Sequence, residues 1–325
     1  EMSASLVGSE MCIRDRVMDV ELIITFCFSL LRLATPIVYA ALAASVCYKA
    51  SVDNMAIESM MLWAALAGVI VSGASKSAVV GFGAAILAGI LVGLIISYAS
   101  FTGKADLYLT NIAMNLAAAG GTVFVLFLAS GDKSNSAGSI QSMVLPVVNL
   151  PFIKDIPVLG RIVSGHNILT YGAFAAAFLV NFFIYKTRLG LRLRSVGENP
   201  QAAESVGSSA TKIRYIAFMI SGALAGVGGA YMSMGYMSAF VRNMVAGRGF
   251  IGLSASNMVA GSPLGVLVSS FIFGSADVFA NILQMTSAPA DLVLMLPYAI
   301  TILGLVVISI VRRRREKKIQ KAAIR

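Results

Sequence analysis

Long apolar runs separated by short polar stretches dominate this chain from about residue 22 onward. Runs of membrane-spanning length, about 20 residues, fall near 22–48, 55–73, 78–101, 108–129, 167–186, 213–236, 245–261, 264–286 and 291–311. None shows the strict alternation of a membrane β-strand, and barrels lack such unbroken runs. The pattern predicts an all-α fold, a polytopic transmembrane helical bundle of about 8–10 spans. The 245–261 run is short and carries glycines, so at least this segment is expected to be broken or re-entrant. Residues 20–31 are expected to lie at the interface, with the first span turning inward at Pro36.

The polar stretches set orientation. Between residues 186 and 214, six cations (Lys186, Arg188, Arg192, Arg194, Lys212, Arg214) face two anions, Glu198 and Glu204. That bias places the loop in the cytoplasm. Residues 130–165, poor in charge and carrying Pro146, Pro151 and Pro157, fall outside on this reading. The last four runs then pair out and back, while five unsplit runs before them would put the N-terminal end outside. Within the basic loop, Asn199 is placed to cap a short helix, Pro200 suits its first turn, and Gly207 offers a stop.

Composition changes the picture in one respect. Of 325 residues 58% are hydrophobic and only 12% charged, with a mean hydropathy of +0.85. Lipid must be the solvent for most of this surface, so the chain is read as a multi-pass membrane protein. The formal charge of +10 does not point to nucleic acid. Its cations cluster in the 186–214 loop and in the basic tail 313–325, juxtamembrane positions that meet anionic headgroups. Three cysteines (Cys12, Cys27, Cys47) and one histidine, His166 at a loop edge, make neither a disulfide framework nor a metal set. No cofactor and no metal are expected. The first seventeen residues break the pattern: SLVGSEMCIRDR resembles translated adapter sequence, and Met18 opens a natural-looking start, MDVELIITF. Residues 1–17 are therefore read as a non-native extension and 18–312 as the transmembrane domain.

Polar groups inside apolar runs mark candidate pathway positions, since a carboxylate facing lipid costs a few kcal/mol. Asp53, Asn54 and Glu58 open one apolar helix, with Asn54 and Glu58 on a shared i, i+4 face. The plainer reading is an interfacial helix start, where acids favour the positive end of the dipole. Asn111 and Asn115 are again four apart; they either face the same cavity or make interhelical hydrogen bonds. Arg248, flanked by Gly247 and Gly249 and followed by Phe250, either contacts cargo, pairs with a carboxylate such as Glu58, or reaches an interface. Asp277 is read as structural. Dense glycines, among them Gly81, Gly83, Gly89, Gly222, Gly226, Gly228 and Gly229, are read as packing positions.

No nucleotide-binding phosphate loop, HExxH or GxSxG motif is present, so any ATP used must be bound by another chain. Four stretches together resemble the permease subunits of ATP-binding-cassette importers, most closely the simple-sugar and nucleoside branch related to ribose and branched-chain amino-acid permeases. The early family pattern V-N-I-G-L-E-G-M-M-L-x-G-A is matched at Asn54, Ile57, Glu58, Met60, Met61, Leu62 and Ala65. Ser59 and Ala64 replace glycines, and Asp53 adds a charge. The later pattern G-R-G-F-I-A-L-A is matched at 247–251 and Leu253, with Gly252 and Ser254 departing. LGLRLRSVGENPQAAESVG matches the coupling segment, and LPYAITILGLVV matches the last span.

The resemblance implies a cytoplasmic ATPase docked on the 196–207 helix, with Glu198, Asn199, Pro200, Ala203 and Gly207 as coupling residues. It also implies a second permease subunit of a different chain and an extracytoplasmic substrate-binding protein. Asn54, Glu58, Asn111, Asn115, Arg248 and Phe250 become the expected substrate pathway, with one aqueous cavity joining Asn54, Glu58 and Arg248. The expected function is ATP-driven import of nucleosides or simple sugars. Branched-chain amino acids are the alternative within the family. An ion-coupled secondary transporter using Asp53, Glu58 or Asp277 is the alternative outside it.

Overall fold

A computed structural model describes the backbone of residues 2–149, 159–284 and 306, and the side chains of 21–149, 160–283 and 306. Helix α1 (Met2–Lys49) is followed by α2 (Ile57–Ser75), α3 (Ala78–Ser97), α4 (Leu107–Ser130) and the short α5 (Leu159–Val163). Then come α6 (Ile168–Lys186), α7 (Arg188–Glu198), α8 (Pro200–Ser205), α9 (Ala210–Ala230), α10 (Arg248–Met258) and α11 (Pro263–Gln284). Two π-helical turns, Tyr98–Thr102 and Tyr231–Tyr236, extend α3 and α9. Among the described residues seven helices are long and apolar enough to cross a membrane: the Glu21–Lys49 part of α1, α2, α3, α4, α6, α9 and α11. The run at 291–311, the LPYAITILGLVV stretch apart from Val306, and the basic tail lie outside the described residues.

Two expectations need correction, the first of them about α1. Its helix does not turn at Pro36 but runs through it. Proline offers no N–H to the carbonyl four residues back, and in lipid that orphan needs an internal partner. Here the Tyr231 hydroxyl donates to the freed Arg32 carbonyl at 3.0 Å. His166 is likewise not at a wet edge. It is buried, stacked on Phe28 with ring centroids 4.2 Å apart, and its Nε2 lies 2.9 Å from the Ile162 carbonyl oxygen. Burial holds its pKa below the usual histidine range.

Contacts at the two ends of α1 fix its direction. Glu21 pairs with Arg161 at 2.6 Å, in the charge-poor loop. At the other end Gly197 of α7 is pressed against the Lys49 carbonyl. Helix α1 therefore runs from the end that carries the charge-poor loop to the basic end, and α1, α2, α3, α4 and α6 are five helices long enough to cross the membrane unsplit. At the charge-poor end, Val147–Val148 pairs antiparallel with His166–Asn167. Ser136 binds Phe240 twice, accepting from its N–H at 2.8 Å and donating to its carbonyl at 2.9 Å. That clamp ties the loop to the end of α9.

The centre of the bundle is α9 packed on α1, α2 and α3. Lipid offers no hydrophobic drive between helices, so close backbone approach must supply the cohesion. Gly89 of α3 and Gly222 of α9 meet backbone to backbone, and a Cβ on either would overlap the other's carbonyl. Gly83, read as another packing glycine, has nothing within 4 Å of where its Cβ would stand. Gly89→Leu and Gly222→Leu are each expected to lower the melting temperature of the detergent-solubilised protein by several degrees. That follows from an overpacking cost of roughly 1–3 kcal/mol or more. Gly83→Leu is expected to leave the melt unchanged, and an equal loss there would remove the close contact as the cause.

Candidate functional site

Helix α2 begins inside the protein, and the residues before it, Ser51 to Ala56, are irregular. The first N–H groups of a helix have no partner within it, and without water they need side chains. Asn54 is fully buried. Its Oδ1 accepts from the Ala56 N–H at 3.0 Å, and its Nδ2 donates to Ser221 Oγ of α9 at 2.9 Å. From α4, Asn115 accepts from the Ser59 N–H at 3.1 Å and donates to the Met55 carbonyl at 2.9 Å. One turn earlier, Asn111 donates to the Asp53 carbonyl at 3.1 Å. The i, i+4 pair on α4 thus hydrogen-bonds α2 and the segment before it, in line with one of the two readings open from the sequence.

Helix α10 also begins inside. Its 11 residues rise only about 16 Å at 1.5 Å each, half a bilayer core. At its far end Lys49 Nζ donates to the Ala260 carbonyl at 2.9 Å, which places that end at the basic face. The broken segment anticipated at 245–261 is this half-membrane helix. Its N-terminus carries a partial positive charge, and Glu58 answers it. Oε1 accepts from the Gly247 N–H and Oε2 from the Gly249 N–H, both at 2.8 Å. Gly247 has φ +82°, a conformation glycine takes without strain. A Cβ on Gly249 would stand 2.6 Å from the Glu58 nitrogen. The G-R-G spacing is what lets a carboxylate of α2 sit on the start of α10.

Arg248 does not pair with Glu58. Its Nε lies 3.7 Å from Asp277 Oδ2 on α11, and its Nη1 lies 3.4 Å from the Met244 and Val245 carbonyls. Asp277 is therefore the ionic partner of Arg248. Phe250 is 45% exposed on the surface of the chain. The six expected pathway residues thus divide. Asn54, Glu58, Asn111 and Asn115 hold helix starts together, whereas Arg248 pairs with Asp277 and Phe250 is exposed. Of the three residues expected to share one cavity, Asn54 and Glu58 are buried and bonded within the protein.

On the basic face, Asn199 Oδ1 accepts from the Ala202 N–H at 3.1 Å and caps α8. Gly207 ends the segment with φ +84°. Pro200 takes the first turn and Glu198 is exposed. Ala203 faces the protein and is buried, whereas Val206 projects outward, 80% exposed. Beside α8 a cleft of about 710 Å³ opens between the ends of α1 and α7, lined by Tyr48, Lys49, Asp53, Tyr185, Arg194 and Glu198. Sequence reading took Asp277 as structural without naming Arg248 as its partner, and did not single out Val206. The signal for Val206 was present: an apolar residue in the most polar loop of the chain.

If Glu58 is the clamp between α2 and α10, its loss should cost stability in steps. Glu58→Gln keeps one acceptor oxygen, and Glu58→Ala leaves two buried N–H groups unsatisfied at about 1–3 kcal/mol each. Melting of the purified protein should fall in the order wild type, Gln, Ala. Indistinguishable melts for all three would remove the clamp.

The family model described as "Branched-chain amino acid transport system / permease component" matches residues 26–305. The chain is 33% identical over 287 residues to the guanosine ABC transporter permease protein NupQ of Bacillus subtilis, covering 84% of this chain and 88% of that one. It is 31% identical over 288 residues to the nucleoside ABC transporter permease protein NupC of Lactococcus lactis, with the same coverage of 84% and 88%. Against the glucose ABC transporter permease protein TsgB13 of Haloferax volcanii it is 26% identical over 294 residues, covering 87% and 76%. With a matched family model over most of its length and a helical bundle holding a half-membrane helix, this chain belongs to the ABC-transporter permease family described as the branched-chain amino acid transport system permease component, and is a multi-pass integral membrane protein.

Proposed function

We propose that this chain is the membrane-spanning subunit of an ATP-driven importer whose cargo is nucleosides, with simple sugars as the second class. The observation that carries the reading is the 33% identity to a guanosine permease over 88% of that protein's length. The interior agrees with it chemically. Its buried polar groups are amides, hydroxyls, a carboxylate neutralised by backbone N–H groups, and one Arg–Asp pair. A positively charged cargo would meet no unpaired carboxylate there, since Glu58 is held by backbone N–H groups and Asp277 by Arg248.

The partners follow from the division of labour. A separate cytoplasmic ATPase docks on α8, a second permease chain completes the pore, and an extracytoplasmic binding protein delivers the cargo. Val206, with Gln201, Ala202 and Glu204 on the same exposed surface, forms the ATPase contact. Ala203, buried beneath them, holds α8 in place. ATP-driven closure of the ATPase would shift α8 as a body, and cargo access changes only if the two states differ in their contacts.

Uptake of labelled guanosine, inosine, ribose, glucose and leucine should be compared in cells with and without this chain, alongside its partner subunits. Loss of nucleoside uptake on deletion is expected. Loss of leucine uptake alone would overturn the cargo assignment and favour branched-chain amino acids. Uptake that survives ATP depletion but collapses with the ion gradient would overturn the importer reading. Separately, Val206→Asp should reduce ATP-dependent uptake at least several-fold while the chain still reaches the membrane. Unchanged uptake would remove α8 as the docking element.

A further inference from the structure

Thr25, Ser29 and Arg32 are spaced i, i+4 and i+7, which aligns three polar side chains on one face of an apolar stretch of α1. That face opens on a pocket of about 310 Å³, lined also by Phe26, Tyr236 and Asn281. Small-ligand sites run from roughly 300 to 1,000 Å³, so this one suits a compact ligand. Arg32 lies about 16 Å along the helix from Glu21 and about 25 Å from Lys49, at 1.5 Å per residue. It stands one turn from Phe28, whose ring stacks on His166, and three residues before Thr35, which bonds Thr170 near the start of α6, so it lies at the end of the bundle that carries the charge-poor loop.

The two ion pairs among the described residues, Glu21–Arg161 and Arg248–Asp277, leave Arg32 out. Arg32 is laid on the Tyr236 ring, its Cζ 4.4 Å from the centroid. Its Nη2 donates to the Tyr236 carbonyl at 3.3 Å. The backbone beneath is held by the Tyr231 hydroxyl on the Arg32 carbonyl, and both tyrosines belong to the π-helical turn at the end of α9. The guanidinium is thus oriented, and its side chain remains exposed.

A guanidinium carries only donors, so a ligand here must bring acceptors. Its planar fork fits two acceptors on one edge of a flat ring, and N7 with O6 of guanine is the commonest instance. Hypoxanthine presents the same edge. Adenine puts a donor at position 6, where the guanidinium also donates. Thr25, Ser29 and Asn281 can meet ribose hydroxyls, and Phe26 offers an aromatic face.

We propose that this pocket binds 6-oxopurine nucleosides within the bundle, with Arg32 reading the N7–O6 edge. The proposal rests on the nucleoside reading above. Its test is binding of labelled guanosine to the purified permease–ATPase complex in nanodiscs, without the binding protein, so that the permease's own selectivity is read. Inosine should compete as well as guanosine. Adenosine and 7-deazaguanosine, which lacks the N7 acceptor, should compete about tenfold more weakly or worse. Arg32→Gln should weaken binding and erase the preference. Arg32→Lys should also erase it, because an ammonium has no fork. Should the Arg32 variants fail to assemble, the 7-deazaguanosine comparison on the unmutated complex still decides. Equal competition by 7-deazaguanosine overturns the site, as does absence of guanosine binding in a complex that supports guanosine uptake by cells; either leaves the cargo reading standing. Absence of any nucleoside uptake by cells overturns the cargo reading and this proposal together.

Discussion

Two helices of this bundle begin inside protein rather than at water, and each begins with N–H groups that its own turns cannot satisfy. In a hydrocarbon surround an unmade hydrogen bond costs several kcal/mol, so the starts of α2 and α10 decide what else must be present. The Glu58 carboxylate meets the need of α10 with two charge-assisted bonds. Three asparagines meet that of α2 and its approach, from within the segment and from α4. Because Glu58 itself belongs to α2, the second helix start is anchored to the first. The glycines on either side of Arg248 follow from the same requirement, since a side chain at Gly249 would occupy the space of Glu58.

Once these starts are fixed, the remaining cohesion comes from close approach rather than hydrophobic drive. The Gly89–Gly222 contact joins α3 to α9, and Gly229 lies against the Met61 carbonyl of α2. Elements packed at backbone distance move as bodies. That bears on coupling, because Gly197 of α7 sits on the Lys49 carbonyl while the Lys49 ammonium binds the end of α10. A displacement beginning at α8 would therefore meet α1 and α10 through one residue. The path is contiguous, but only a difference in energy between two states would make it a coupling.

The charges inside the bundle are few, and each has a distinct environment. Glu58 is answered by backbone, Arg248 by Asp277, and Arg32 by an aromatic ring and a carbonyl. Pairing Glu58 with Arg248 was chemically reasonable from their separate positions in the chain. It fails because the same loop that carries Arg248 also presents two N–H groups nearer to Glu58, and Arg248 projects toward α11 instead.

Much of the fold was legible in the chain. Apolar run lengths located the seven spans found here, since bilayer thickness translates directly into residue count. The Asn-Pro start and Gly207 stop of α8 were readable because capping is local chemistry. The brevity and glycines of 245–261 marked a broken helix. Other features needed the third dimension. Continuation of α1 through Pro36 depends on Tyr231, almost two hundred residues away, and the burial of His166 depends on Phe28. Whether Asn111 and Asn115 face a cavity or a neighbouring backbone is decided by the rotation of α4 about its own axis, which periodicity alone does not fix. Sequence spacing sets which residues share a face of one helix; only packing decides what that face meets.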